Sequence, residues 1–257
     1  MWALLTAAAA AACSSPAGAV SVSARAGGKA KVHLEIYYES LCPYCHELLD
    51  NDFRKIWGDK DFRDRIDLEL VPFGNAAVVT EEKVSPGYHF WHPDAKYPAI
   101  VCQHYEGECL GNEVHACVNS THSPEKMVDL VLCMVGKQVK GASIEKSSFE
   151  CMVELKVDPN KIKSCVGSLE NKQRMLALGM RSTRPELQRK YVPWVVADGA
   201  HVDFPDDDDN GHDLITPLCG MLAKPLPKLC LEPKPSKSSK AAALAAAGGG
   251  KPLARAA

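Results

Sequence analysis

The stretch KVHLEIYYESLCPYCHELLDNDFRKIW, residues 31–57, decides the fold. In its first ten residues Val32, Leu34, Ile36 and Tyr38 fall on one face, as in a half-buried strand. From Pro43 the period changes: Leu48, Leu49, Phe53, Ile56 and Trp57 stand at the spacing of a helix of about four turns. Pro43 suits the first helical position, where its missing N–H would have had no partner. Asp50, Asp52 and Arg54 fall on the exposed face of this helix. At the junction of strand and helix stand two cysteines, Cys42 and Cys45, with Pro43 and Tyr44 between them.

Downstream, RIDLELVPFGNA (65–76) reads as a second strand, ended by Pro72 and the pair Gly74-Asn75. Strand, helix and strand in this order form the βαβ unit that opens a parallel sheet. Residues 77–120 read as irregular and rich in His, Gly and Cys, with His89, His92 and His104 in no regular ligand spacing. Helices are expected over 123–138, with Ser123 as N-cap and Pro124 in the first turn, then over 147–157, and over 158–182 behind the cap Asp158. YVPWVVADGAHVDF (191–204) reads as two strands joined by an Asp198-Gly199 turn. A last helix carries Leu214, Leu218 and Leu222. The order predicts an α/β, thioredoxin-like fold with a helical insertion over about 123–182, in one domain spanning 31–230.

The two ends point to export. The chain has 257 residues and opens on an apolar run from Trp2 to Cys13, too short for the about 20 residues that span a bilayer. Small residues follow, so residues 1–26 are expected to be a signal peptide cleaved near Ala19 or Ala26. From Leu231 to the end the chain is low in complexity and rich in Pro, Lys, Ser and Ala, the composition of a disordered tail. No later stretch is apolar enough for a membrane span, and a net charge of −2 leaves no footprint for nucleic acid.

Loss of the leader removes Cys13 and leaves ten cysteines. In a secretory chain an even count implies bridges. If Cys42 and Cys45 form one couple, then Cys102, Cys109, Cys117, Cys133, Cys151, Cys165, Cys219 and Cys230 remain for structural disulfides, in a connectivity the sequence leaves open. Asn119-Ser120-Thr121 is an N-glycosylation sequon and fits the same route. The run Asp206 to Asp209 reads as a solvated loop.

A cysteine at a helix N-terminus meets free N–H groups and roughly half a positive charge, and both favour the thiolate. Thiol pKa values fall from ~8.5 to between ~3.5 and ~7.5 in such positions. Cys45 returns to the same side one turn deeper. The expected roles therefore differ: Cys42 attacks a substrate disulfide and Cys45 resolves the mixed disulfide. His46 either adds positive charge when protonated or is a surface residue. Two rivals stand beside this reading: half of a zinc site, for which His104 or His115 would have to be recruited, and a plain structural bridge. Val192-Pro193, just before the strand WVV, is the candidate for the cis-proline that faces the dithiol in such folds and offers backbone groups to an extended substrate.

CQHYEGECLGNEVHAC (102–117) resembles the signature C-Q-H-G-x2-E-C-x2-N-x4-C of the gamma-interferon-inducible lysosomal thiol reductase family. Cys102, Gln103, His104, Glu108, Cys109, Asn112 and Cys117 match; Tyr105 replaces the glycine, which suggests a local change in the turn eased by Gly107. The CxxC behind YYE, the VPFGNA strand end and YVPWV agree with this family in order. The resemblance covers about residues 32–230. It implies a thioredoxin-superfamily enzyme that reduces protein disulfides in an acidic, lysosome-like or vacuolar compartment or outside the cell. Cys42 would be nucleophile and Cys45 resolving thiol, with no cofactor beyond the dithiol and a low-molecular-weight thiol as reductant. The signature cysteines are read as structural, and Gln103 and His104 as scaffold. A secretory oxidase or isomerase and a non-catalytic disulfide-rich module are the alternatives.

Overall fold

The computed structural model describes residues 31–80, 96, 98–204, 206–207 and 211–232. The expected leader with Cys13, His89, His92, Asp208, Asp209 and the tail beyond 232 lie outside the described residues.

Strand β1 (Val32–Tyr38) is central in a four-stranded sheet. On one side it runs parallel to β2 (Ile66–Pro72), in register from Val32 opposite Ile66 to Tyr38 opposite Pro72. On its other side lies the antiparallel β5 (Trp194–Ala197), followed by the short β6 (Ala200–His201). Asp198 and Gly199 close this hairpin at φ 48° and 83°, the primed turn that matches strand twist. A parallel βαβ half joined edge-on to an antiparallel hairpin and a closing helix is the thioredoxin-like arrangement. Two further two-stranded ribbons, β3 (Ala77–Val79) with β4 (Ala99–Val101) and β7 (Asp206–Asp207) with β8 (Gly211–His212), complete the strands among the described residues.

Alternation along β1 assigns two faces, and both are covered. Leu34, Ile36 and Tyr38 enter the main core with Leu48, Leu49, Phe53, Leu130, Val131, Leu214 and Leu218. Tyr37 enters a smaller cluster with Val71, Leu187, Trp194 and Val196. The strand is therefore buried on both sides rather than half-buried, because helices pack on both faces of a central strand.

The helix after β1, α1, has three parts: Pro43–Leu48, a π-helical turn Leu49–Phe53, and Arg54–Gly58. Asp52 corrects the expectation: four residues after Leu48 and three after Leu49, it falls on the buried face of the helix. Asp52 is buried, and its Oδ2 accepts the N–H of Leu214 at 2.9 Å, at the head of the last helix. The one-turn α2 (Lys60–Arg63) is capped by Asp59 Oδ1, which accepts from Phe62 N at 3.0 Å.

The helical block begins earlier than the sequence suggests. α3 (Tyr105–Thr121) occupies most of the segment expected to be irregular. Its inward face carries Glu108, Asn112 and His115 at i, i+4 and i+7, all buried, so polar side chains stand where an apolar stripe would have revealed the period. α4 (Pro124–Gln138) starts at the expected cap, Ser123. α5 (Ile144–Glu154) starts three residues early, because Ser143 caps it through Lys146 N. The segment 158–182 forms two helices, α6 (Pro159–Cys165) and α7 (Leu169–Ser182). Gly167 at φ 73° stops the first, and Ser168 caps the second. α8 (Ile215–Met221) closes the fold, with Leu214, Leu218 and Leu222 inward.

On the face of the sheet away from the main core, Glu35 of β1 is almost fully buried. Arg181 of α7 bridges it to Glu69 of β2, and Arg184 donates to Glu35 Oε2 at 3.0 Å and to Tyr37 Oη at 2.9 Å. Burial alone would raise the Glu35 pKa, but the hydrogen bond and charge of Arg181, aided by Arg184, outweigh it and hold the carboxyl below its ordinary value. A depressed folded pKa means that the stabilisation is complete above the unfolded value and fades only as pH falls through the folded one. Arg181→Met should therefore lower stability in urea at neutral pH by about 3 kcal/mol, since it strands buried carboxylate charge. A change under about 1 kcal/mol would show the network to be solvated.

Candidate active site

Cys42 is the N-cap of α1, at φ −66° and ψ 122°, and its side chain caps nothing. Proline follows, so the first available helix N–H groups are those of Tyr44 and Cys45, and both favour the ionised Cys42 sulfur. Cys42 is 5% exposed and Cys45 is wholly buried; they are the free thiols among the described residues. The other eight cysteines pair as Cys102–Cys109, Cys117–Cys165, Cys133–Cys151 and Cys219–Cys230. No second thiol pair is left beside Cys42 and Cys45, and neither belongs to a group of His, Cys, Asp or Glu donors close enough to share an ion, among the described residues.

The two thiols are driven in opposite directions. The hydrogen bond from Cys45 lowers the Cys42 pKa; burial works against it, and the N–H groups of Cys45 and Tyr44 add to the lowering. Burial pushes the Cys45 thiol well up, reinforced by its hydrogen bond to Cys42. The arrangement favours ionisation at Cys42 and opposes it at Cys45. The Val192 carbonyl oxygen lies 3.9 Å from the Cys42 sulfur, and the Val192–Pro193 bond is cis. Val192 thus lies beside Cys42, and Pro193 follows it through the cis bond.

His46 is not a surface residue. It is half-buried, its Nε2 lies 2.7 Å from the Ser40 carbonyl oxygen, and burial lowers its pKa. It ties down the loop that ends at Cys42.

The rest of that loop is held by α3. Ser40 N donates to Asn112 Oδ1 at 3.0 Å, and Ser40 Oγ donates to the Glu108 carbonyl at 2.9 Å. Tyr38 Oη meets His115 Nδ1 at 3.0 Å, and burial pushes the His115 pKa down to about 3, which keeps the ring neutral. Gly111 lets α3 pass so close to Ser40 that a Cβ there would overlap the serine side chain. Gln103 Oε1 accepts from Asn75 Nδ2 at 2.7 Å, and Asn75 N donates to Glu39 Oε1. His104 Nδ1 lies 2.6 Å from Glu108 Oε2 and 3.6 Å from Glu39 Oε2. The polar positions of residues 102–117 are the cradle of the strand-to-helix loop, stapled at their start by Cys102–Cys109.

Sequence reasoning missed Glu39, Ser40 and Asn75, whose only signal is closeness to the CxxC, and it read Glu108 and Asn112 as pattern without a place. Tyr105 is a correction of another kind. It takes the left-handed conformation itself, at φ 68° and 86% exposed, so the turn is kept and Gly107 lies inside α3. Cys133–Cys151, Cys117–Cys165 and Cys219–Cys230 lie in the helical block and behind α8. Asn119 is exposed in the last turn of α3. Among the described residues no helix is long and apolar enough to cross a membrane.

Residues 33–155 match the family model described as gamma interferon inducible lysosomal thiol reductase. A gamma-interferon-responsive lysosomal thiol protein of Arabidopsis thaliana is 30% identical over 207 residues, covering 80% of this chain and 78% of the relative. A gamma-interferon-inducible lysosomal thiol reductase of Carassius auratus is 28% identical over 201 residues, covering 77% and 72%. Among solved structures, a putative protein disulfide isomerase from Nitrosomonas europaea is similar at a TM-score of 0.43 and 16% identity, over 65% of this chain and 85% of that one.

Proposed function

Because the chain belongs to the gamma-interferon-inducible lysosomal thiol reductase family, we propose that it is a thiol-disulfide oxidoreductase that reduces protein disulfides through Cys42 and Cys45. One observation carries this reading: two free thiols one helical turn apart, the outer favoured as thiolate and the inner as thiol. The Cys42 thiolate attacks one sulfur of a substrate disulfide; the substrate S–S bond breaks and the departing thiolate takes up a proton. Cys45 then loses its proton and attacks the Cys42 sulfur. The mixed disulfide breaks, the second substrate thiol leaves, and a Cys42–Cys45 disulfide remains. Two electrons have passed to the substrate, and a low-molecular-weight thiol outside the protein returns them. The Val192 carbonyl, beside the sulfur, is the acceptor for an N–H of an extended substrate.

The setting proposed is acidic: a lysosome-like or vacuolar compartment, or the exterior, reached through the secretory pathway with a glycan on Asn119. The four bridges fit an oxidising route. Near pH 5 an unperturbed thiol at ~8.5 is less than about 0.1% ionised, so activity there needs the lowered Cys42 pKa. In the reduced protein Cys42 should alkylate at least about tenfold faster than Cys45 at that pH. Equal rates in mass-mapped labelling would sink the assignment.

An oxidase reading is favoured by the same thiolate stabilisation, since a stabilised reduced form makes a couple more oxidising. Equilibration with glutathione separates the two: a potential near about −120 mV marks an oxidant.

A further inference from the structure

Glu39 stands three residues before Cys42 and is wholly buried, as is Glu108 beside it. One oxygen of each and a ring nitrogen of His104 lie within 4.8 Å of one another. Glu108 has a close partner, since it accepts from His104 N at 3.1 Å and lies against His104 Nδ1. Glu39 accepts from Asn75 N at one oxygen; the other, Oε2, is buried and has no hydrogen-bond partner among the described residues. A buried carboxylate oxygen without a donor is where a proton belongs.

We infer that Glu39, Glu108 and His104 form one proton-sharing unit that sets the charge beside Cys42. In acid Glu39 is neutral and the sulfur ionises with no like charge next to it; above neutrality Glu39 is an anion and opposes that ionisation. The inference rests on the dithiol reading and adds to it the reason why the site suits acidic surroundings.

The groups facing Glu39 support this. From α3 come Glu108 and His104, and from the turn after β2 comes the N–H of Asn75. Arg189, before β5, lends a more distant positive charge while its guanidinium is engaged by Gly74 O and Asn75 Oδ1. On α1 lie Cys42 and Cys45, both of which feel the Glu39 charge, and His46, which faces His104. Burial first, and Glu108 second, raise the Glu39 pKa to about 7 despite Asn75, His104 and Arg189. The group is therefore protonated below neutrality and charged above it. His104, exposed in part, is the member of the cluster that reaches solvent.

Two readouts test this without any disulfide turnover. Carbon-13 NMR of labelled glutamate carboxyls in the reduced protein should show one carboxyl titrating near pH 7, absent in Glu39→Gln and shifted to lower pH in Glu108→Gln. Alkylation of Cys42, normalised to its thiolate absorbance, should accelerate through the same pH range in the natural protein only. With a Brønsted coefficient of about 0.4–0.5, the ratio of natural to Glu39→Gln rates grows about threefold for each unit of basicity the anion adds. The inference is overturned if every glutamate titrates below about pH 6 in the unaltered protein, or if the two alkylation profiles superimpose. A protein that failed to reduce insulin yet showed both signals would overturn the reductase reading alone.

Discussion

Serine in place of Cys42 is expected to lower insulin-disulfide reduction by at least about a thousandfold, since in the proposed mechanism the group removed is the attacking atom itself. Serine in place of Cys45 should abolish turnover in a different way. The Cys42 thiolate still attacks, but no thiol lies behind it to break the mixed disulfide. The variant should accumulate covalently joined to substrate, visible on non-reducing gels and released by dithiothreitol. The asymmetry follows from the geometry: Cys42 stands at the N-terminus of the helix next to the Val192 carbonyl, whereas Cys45 is wholly buried. Cys45→Ala, which unlike serine leaves no donor behind Cys42, also removes the largest influence lowering the Cys42 pKa, so its capture should slow at acidic pH relative to neutral pH. Adducts through Cys45 in the Cys42→Ser protein, or full turnover by either variant, would refute the division of roles.

Opening the bridge between α3 and α6 is the second large effect. Cys117 and Cys165 are 48 residues apart, the longest separation among the four bridges. Loop-closure entropy grows with the logarithm of that length and assigns about 4 kcal/mol to this link. Cys117 is also wholly buried in the main core, so Cys117→Ala combined with Cys165→Ala adds a packing loss to the entropic one. Urea unfolding should show a midpoint lowered accordingly, with the slope raised as the unfolded chain expands. The same pair of substitutions at Cys219–Cys230, 11 residues apart, should cost less. A loss below about 1 kcal/mol at Cys117–Cys165 would mean that the bridge does not restrain the unfolded chain.

Much of the frame was legible before any coordinates. The alternation of Val32, Leu34, Ile36 and Tyr38, the switch of period after Cys42, the Asp198-Gly199 turn and the caps Ser123 and Asp158 each have a local cause. Local causes are what a sequence displays. The thiol pair was legible for the same reason, since its chemistry needs only a strand end and a helix start. What escaped reading depends on partners distant in the chain. Glu108, Asn112 and His115 turn inward because the loop at Glu39 and Ser40 needs polar company, so α3 lacks the apolar rhythm of a buried helix. Glu39 resembles any charged residue near a strand end until Glu108 and His104 are packed against it. Asp52 reads as exposed from its charge alone, whereas its spacing from Leu48, Leu49 and Ile56 already places it on the inward face.

The π-helical turn makes α1 a spiral with a surplus residue between two regular halves. Trimming one position from Leu49–Phe53 would restore even winding and leave Cys45 and Leu48 on one side and Ile56 and Trp57 on the other facing as they do now. Asp52 lies within that turn and holds the Leu214 amide, so the bulge is the place where the first helix is pinned to the last.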